Sequence, residues 1–368
     1  MGGTTAAAVA LAAGLAALFA LPGHPATALS PTKDAAPATT TTTTTTAPLP
    51  PATLPSRQPS EPGRIITPGR SFPDPFILPV AGGYELYASQ TGLGGAQIQV
   101  AFSRHLGAWS HVGAALAGTP PWATAGFTWA PDVRRIEGRF VMYFDAMANR
   151  WLYFDAAAPT NFSRRAQCIG VATSADASGP FRAAPSPLIC DFAHHGAIDP
   201  RTFVGPDGQV WLDWKSDGNA ATPAPFPPTR IYAEALTRNG LALAGPPHLL
   251  LAAVAGWESH IVEAPQMVRA GSRYYLFYSG SWFNQPTYGI GVAVCAGPVG
   301  PCRNLSARRP FIGSDRQGEG PGEESLFEEG AGRWWIAYSP WYAGYLGRTY
   351  RPIALARIHF GRHGPFLQ

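Results

Sequence analysis

Charge is what this sequence has least of. Only 14% of its 368 residues are Asp, Glu, Lys or Arg, where soluble domains average about 25%. The 27 basic and 23 acidic residues leave a formal net charge of +4 with no dense Lys/Arg run. The basic footprint of a nucleic-acid-binding surface is therefore missing. Cysteine is scarce, with four residues at 168, 190, 295 and 302 and neither a CxxC pair nor an accompanying His cluster. That argues against a structural metal site. Long stretches of helical periodicity are also absent, which argues against an α/β barrel.

Glycine (41), proline (38), aromatics (12%) and hydrophobic residues overall (46%) are abundant. This balance favours an all-β chain with many turns and a sizeable core. At the N-terminus an apolar stretch from Ala6 to Leu21 is short for a membrane span and leads to Ala26-Thr27-Ala28, a small-residue cleavage pattern. We expect an export signal over residues 1–28, although no Lys or Arg precedes the apolar stretch; an uncleaved anchor is the alternative. The Thr/Pro-rich tract at 29–63 cannot bury a core and reads as an extended, solvated tether. The folded domain is expected over 64–368. An even cysteine count in an exported chain suggests disulfides, and local pairing, Cys168–Cys190 and Cys295–Cys302, is the best of the three connectivities.

Five segments of the chain resemble one another: "GGYELYASQ", "EGRFVMYFDA", "DGQVWLDWKSD", "AGSRYYLFYSGS" and "AGRWWIAYSPW". Each sets a Gly turn before an aromatic, β-rich strand. Aligned on Gly83, Gly138, Gly208, Gly271 and Gly332, they recur at steps of 55, 70, 63 and 61 residues. That period fits four-stranded blades and predicts a five-bladed β-propeller. Upstream of each turn is a strand headed by an acid: Asp74 in "PDPFIL", Asp132 in "WAPDVRRI", Asp199 in "AIDPRTFV", Glu263 in "VEAPQMVR", and Glu323 and Glu324 in "GPGEESLF". Their offsets to the aligned Gly are 9, 6, 9, 8, and 9 or 8. First strands of blades line the central channel, so these acids are expected to form a ring at one mouth. Gathered carboxylates repel and lose solvation, a cost with a reason in an enzyme or an ion site.

With these motifs, in this order, the chain resembles glycoside hydrolase family 43, the five-bladed arabinanases, α-L-arabinofuranosidases and β-xylosidases. The resemblance runs from about Phe72 to Phe360 and includes "FPDPFIL", "WAPDV", "AIDPRTF", "VEAPQMV", "YYLFYSG" and "GPGEES". "CIGVATSADASGPF" and "GIGVAVCAGPVGPC" resemble further family strands. It implies inverting hydrolysis by three acids. Asp74 matches the general base, Glu263 the general acid, and Asp199 the carboxylate that orients the acid and tunes its pKa. Arg351 in "TYRPIALARI" matches a late arginine near the substrate, with a salt bridge to a ring acid as the simpler reading. Many members carry His where this chain has Glu323, and there it helps hold a metal ion or water in the channel. Here Ca²⁺ among carboxylates, or Glu323 turned toward Arg351, are the alternatives, and we favour the second because Ca²⁺ needs six or more oxygens.

Asp132 reads as a structural hydrogen-bonding group, and Trp129 as either a sugar platform or core. Trp214, Trp282, Phe283, Trp341 and Tyr342 end blade strands and read mostly as core. His194, His195 and His260 read as loop residues, and Glu258 as exposed or structurally paired. The chain is thus expected to be a secreted or cell-surface, monomeric glycosidase. Its substrate would be pentose-containing polysaccharide or oligosaccharide, arabinan or α-L-arabinofuranoside first and β-xyloside second. No required cofactor, no catalytic metal, no nucleic acid and no stable membrane span are expected. The alternatives are a carbohydrate-binding propeller without catalysis and a cell-envelope scaffold on a Thr/Pro stalk.

Overall fold

A computed structural model describes residues 54, 63–92, 95–149, 166–220, 226–316, 318–342, 344, 346 and 350–368. The expected signal at 1–28, and the tether at 29–63 save Leu54 and Gly63, lie outside the described residues. Strands form five antiparallel sheets, and no described segment is an α-helix. Blade 1 runs outward through Phe76–Val80, Gly83–Ala88, Gln99–Ser103 and Ser110–Ala114. Blade 2 uses Ala123–Ile136, Arg139–Ala148, Gln167–Ser174 and Arg182–Ala183. Blade 3 uses Ala197–Val204, Val210–Ser216, Arg230–Ala235 and His248–Ala252. Blade 4 uses Val262–Ala270, Arg273–Gly280, Gly289–Cys295 and Cys302–Asn304. Blade 5 uses Gly318–Glu328, Trp334–Tyr342 and Ala354–Gly361. The first strand of each blade meets that of the next, and the fifth meets the first, so the five form a ring.

Both faces of each blade are covered, so its strands carry apolar side chains on both sides. Five hydrophobic clusters fill the gaps, one between each neighbouring pair of blades. Between blades 1 and 2, for example, Tyr87, Val100, Trp122 and Phe144 pack together. Each large side chain so buried contributes about 1.5–3 kcal/mol. The ring closes where Arg64–Ile65 adds to Ala354–Gly361 of blade 5. The segment that follows is stitched to the same blade, Phe72 N–H donating to the Arg351 carbonyl at 3.0 Å and Arg351 N–H to Ser71 Oγ at 3.1 Å. This closure sets Arg351 beside the start of blade 1. Both disulfides form as the spacing suggested, Cys168–Cys190 and Cys295–Cys302.

Candidate active site

At one mouth of the channel the backbone does the same unusual thing in every blade. Asp74, Ala130, Asp199, Ala264 and Glu323 all have positive φ, between 46° and 57°. L-residues pay about 1–2 kcal/mol for this conformation, so it must be imposed by its surroundings. In blades 2 to 5 it coincides with a break in strand register, a β-bulge, which re-aims side chains. Pro75, Pro131, Pro200 and Pro265 follow in four blades; having no N–H, they leave no ladder donor unmatched there. This accounts for a Pro inside what reads as a central strand.

The bulges correct the acid alignment. Asp74, Asp199 and Glu323 occupy equivalent places, Glu263 stands one residue before its blade's left-handed residue, and Asp132 two after. The inner strands of blades 2 and 5 also start well before their acids, at Ala123 and Gly318. Asp132 is drawn out of the ring: its Oδ2 accepts the Thr202 hydroxyl at 2.6 Å, the structural role expected of it.

A second tier, from the neighbouring strand of each blade, holds this first tier in place. Ser89, Asp145, Lys215, Ser279 and Ser339 are all buried. The Ser89 hydroxyl donates to Asp74 Oδ2 and accepts Ala130 N–H at 2.8 Å. Asp145 Oδ2 accepts Asp199 N–H at 3.0 Å, and Ser279 Oγ accepts Glu323 N–H at 2.9 Å. Asp199 itself accepts Ala264 N–H on Oδ2 at 2.9 Å. The donors freed by the bulges are thus satisfied across blade boundaries, as buried N–H groups must be.

The two outermost roles fall to carboxyls with different partners. Asp74 faces Arg351, Nη1 to Oδ1 at 3.4 Å, while Arg351 Nη2 bonds the Ser339 carbonyl at 3.0 Å. Burial raises the Asp74 pKa above the ordinary carboxylate range, while Arg351 and the Ser89 hydroxyl pull it back. Glu263 receives Lys215 Nζ on Oε2 at 2.9 Å and the Tyr288 hydroxyl on Oε1 at 2.7 Å. Lys215, wholly buried, also reaches Asp217 at 3.5 Å. Burial alone would push its pKa down, and Glu263, Asp217 and Asp199 together carry it above the usual lysine value. Asp199 is pushed up to about 7, first by burial and then by Glu263, with Lys215 opposing. Glu323 does not turn to Arg351 as favoured from the sequence: its Oε1 takes the same Tyr288 hydroxyl, at 2.8 Å. Asp74, Asp199 and Glu263 thus converge on one mouth, each close enough to shift another's charge.

A model of "Glycosyl hydrolases family 43" matches residues 66–364. The chain belongs to this family. This family-43 chain is 26% identical over 253 residues to the β-D-galactofuranosidase xynD of Aspergillus niger, covering 67% of this chain and 66% of that one, just under two thirds of its length. Its fold is also that of a thermostable family-43 glycoside hydrolase, with TM-score 0.68, 23% identity, and coverage of 82% of this chain and 95% of that one. An endo-1,4-β-xylanase from Bacteroides thetaiotaomicron VPI-5482 superposes with TM-score 0.66 at 22% identity, covering 83% of this chain and 97% of that one.

In this family-43 chain the axis below the acids suits a guanidinium rather than a metal. Arg201 Nη1 donates to the Pro131 carbonyl at 2.7 Å, and Nη2 to those of Pro75 at 3.1 Å and Glu324 at 3.4 Å. Carbonyls of blades 2, 1 and 5 therefore converge on a fixed positive charge from blade 3, leaving them poorly suited to Ca²⁺, which takes six to eight oxygens. Among the described residues no group of three or more His, Cys, Asp or Glu is arranged to hold a metal. Glu324, pushed up to about 8 by burial, faces this level and accepts the Ser279 hydroxyl at 2.8 Å.

Around the mouth, Trp129 is half-buried, with its ring 6.4 Å from that of Phe127. Trp214 and Trp341 are core, whereas Trp282 and Phe283 are exposed and Phe226 stands edge-on to Trp282 at 5.5 Å. His194 pairs with Asp191 at 2.7 Å in a loop. Glu258 is buried and fully engaged, by Tyr278, Asn304 and two backbone N–H groups. Sequence reasoning missed the second tier, Tyr288 and Arg201. A signal for the tier was present: each of the five repeated segments turns polar as its aromatic strand ends. Lys215 is moreover one of only two lysines in the chain, the other being Lys33.

Proposed function

We propose that this protein is a secreted, monomeric glycosidase that cleaves pentose-containing polysaccharide or oligosaccharide in a single displacement with inversion. Arabinan or α-L-arabinofuranoside is the leading substrate and β-xyloside the second. The observation that carries the reading is the unequal partnering of two carboxyls on one mouth. Asp74 is held by a guanidinium and a hydroxyl, and Glu263 by an ammonium and a phenol. They stand on blades 1 and 4, which are not neighbours, leaving room for a sugar ring and a water. An inverting pair needs that room, about 6.5–9.5 Å. Asp74 takes a proton from the water as its oxygen attacks the anomeric carbon; Glu263 gives a proton to the departing oxygen. Asp199 fixes the backbone next to Glu263 by accepting Ala264 N–H. Trp129 and Arg351 flank the sugar. Water and these side chains supply the chemistry without a cofactor.

Secretion is supported by the apolar stretch and small-residue pattern at the N-terminus and by two disulfides, which persist in oxidising compartments. Among the described residues no helix is long and apolar enough to cross a membrane. The galactofuranosidase name of the Aspergillus relative favours a five-membered ring. β-D-Galactofuranose differs from α-L-arabinofuranose in its longer exocyclic arm, so both belong in the test. Nitrophenyl α-L-arabinofuranoside, β-D-galactofuranoside and β-D-xyloside, with linear arabinan and xylan, should separate these substrates. Proton NMR of the first sugar released should find the inverted anomer. Glycan binding without turnover would instead support the non-catalytic propeller, and a retained anomer would make one carboxyl a nucleophile.

A further inference from the structure

We propose that Glu323, acting through Tyr288, supplies the proton that Glu263 delivers to the leaving group. The proposal rests on the reading of Glu263 as general acid and begins from a count of hydrogens. The Tyr288 hydroxyl lies 2.7 Å from Glu263 Oε1 and 2.8 Å from Glu323 Oε1. A phenol has one hydrogen to donate. Two such short contacts between three oxygens are both hydrogen bonds when one carboxyl carries a proton of its own. Lys215 forms a buried ion pair with the other oxygen of Glu263, Nζ to Oε2 at 2.9 Å, whereas Glu323 has no ion-pair partner among the described residues. The extra hydrogen therefore belongs to Glu323.

Charge counting agrees. Five buried carboxyls, Asp145, Asp199, Asp217, Glu263 and Glu323, and the half-buried Asp74 face three buried cations, Arg201, Lys215 and Arg351, so some must be neutral at rest. Facing Glu323 are Asp74 from blade 1, Asp199 from blade 3, Glu263 and Tyr288 from blade 4, and Arg351 from the ring closure. Burial, and then the charges of Asp199, Asp74 and Glu263, hold Glu323 well above the carboxylate range against the pull of Arg351. Gly322 makes the approach of Tyr288 feasible: a Cβ there would lie 1.9 Å from the Tyr288 ring.

The proton steps balance. Tyr288 passes its hydroxyl proton to Glu263 as Glu323 passes its own to the Tyr288 oxygen, giving a neutral Glu263, an intact phenol and a Glu323 carboxylate. As the glycosidic C–O bond breaks, its electron pair goes to the leaving oxygen, which takes the proton from Glu263. The water oxygen bonds to the anomeric carbon and its proton goes to Asp74. Asp74 then loses that proton to solvent and Glu323 regains one, so the net change is one water added across one bond.

The test compares Glu323→Gln, Glu323→Asp, Tyr288→Phe and Glu263→Gln with the parent. It uses the nitrophenyl and methyl glycosides of the sugar released in the panel above, and melting temperature checks folding. Glutamine still donates to the phenol but has no transferable proton. Glu323→Gln should lower kcat on the methyl glycoside by about 100-fold, with KM nearly constant and little change on the nitrophenyl glycoside. The basic limb of its kcat–pH profile should move to lower pH. Tyr288→Phe should do the same, and Glu323→Asp should recover part of the loss. If Glu263→Gln is inactive on the methyl glycoside while the Glu323→Gln and Tyr288→Phe profiles match the parent, the relay is wrong and the acid assignment stands. Equal losses on both glycosides would reduce Glu323 to a structural role. Full activity in Glu263→Gln, or no sugar released by the parent, would overturn both.

Discussion

The inner strands of blades 2 to 5 are bulged at one end of the channel, and at the other end all five inner strands pair residue for residue. At the bulged end stand left-handed residues, carboxyls and the buried cations that answer them. At the opposite end the strands run in unbroken register through Arg134, Phe203, Met267 and Leu326. There they border a cavity of about 560 Å³ whose lining mixes apolar side chains with Thr202, Gln266, Glu328, Arg134, Arg135 and Arg269. One set of strands thus supports two mouths of different chemistry. The difference lies in one left-handed residue per blade, set in a bulge in blades 2 to 5, and in the buried polar residues at the ends of the neighbouring strands. Regular pairing holds the ring together, and departures from it concentrate where side chains must be aimed.

The largest effect should come from setting the two ends against each other by mutation. Asp74→Asn should lower turnover on every glycoside by about 100-fold or more, with the fold intact by circular dichroism. The double change Arg135→Ala, Arg269→Ala at the far mouth should leave turnover within about twofold, as expected of exposed sites away from named mechanisms. A comparable loss in the far-mouth variant would break the contrast.

Lys215→Met tests the buried cation at the bulged end. Breaking a buried pair by removing one partner costs about 3–5 kcal/mol, here relieved in part by proton uptake on Glu263 or Asp199. Urea unfolding should show a loss of about 2–4 kcal/mol. No change would mean that Lys215 does not balance the acids. The effect of the disulfides on stability should follow loop length. Removing Cys168–Cys190, separated by 22 residues, should cost about 3 kcal/mol, and Cys295–Cys302, separated by 7, about 2 kcal/mol. Turnover at low temperature should be unaffected by loss of Cys295–Cys302, which joins the two outer strands of blade 4.

The smallest effect is a slope. Burial pushes Asp199 up to about 7, and Asp213 and Glu324 each to about 8. Between the unfolded value near 4 and these folded values the native chain holds more protons than the unfolded one, so stability falls as pH rises. It is fully present below about pH 4 as far as these groups are concerned, and declines towards pH 8. Calorimetry from pH 5 to 8 should find a falling melting temperature, with a shallower fall in Asp213→Asn. A rising curve would contradict the upward shift of these three carboxyls.

How much of this could be read from the sequence depended on how local each feature is. The Gly turns, aromatic strands and acidic strand heads are local patterns, and they sufficed for five blades, both disulfides and the acids of the mouth. The relative phase of those acids was not legible. Ala130 and Ala264 take the same left-handed conformation as Asp74 because neighbouring blades impose it, not because alanine prefers it. Tyr288 lies 25 residues from Glu263 and 35 from Glu323 in the chain, and no motif joins them. The partner of Arg351 could not be chosen from sequence either, since ring closure brings it to Asp74 rather than Glu323.

The central claim is that the bulged mouth divides labour between a base, Asp74, and an acid, Glu263. The most direct measurement is the leaving-group dependence of kcat/KM in Glu263→Gln against the parent, over aryl glycosides of graded phenol pKa. The account predicts a weak dependence in the parent and a steep one in the variant, with near-parental rates for the most acidic phenol and losses of about 100-fold or more for the least acidic. Parallel lines, displaced equally at every phenol, would mean that Glu263 does not donate the proton.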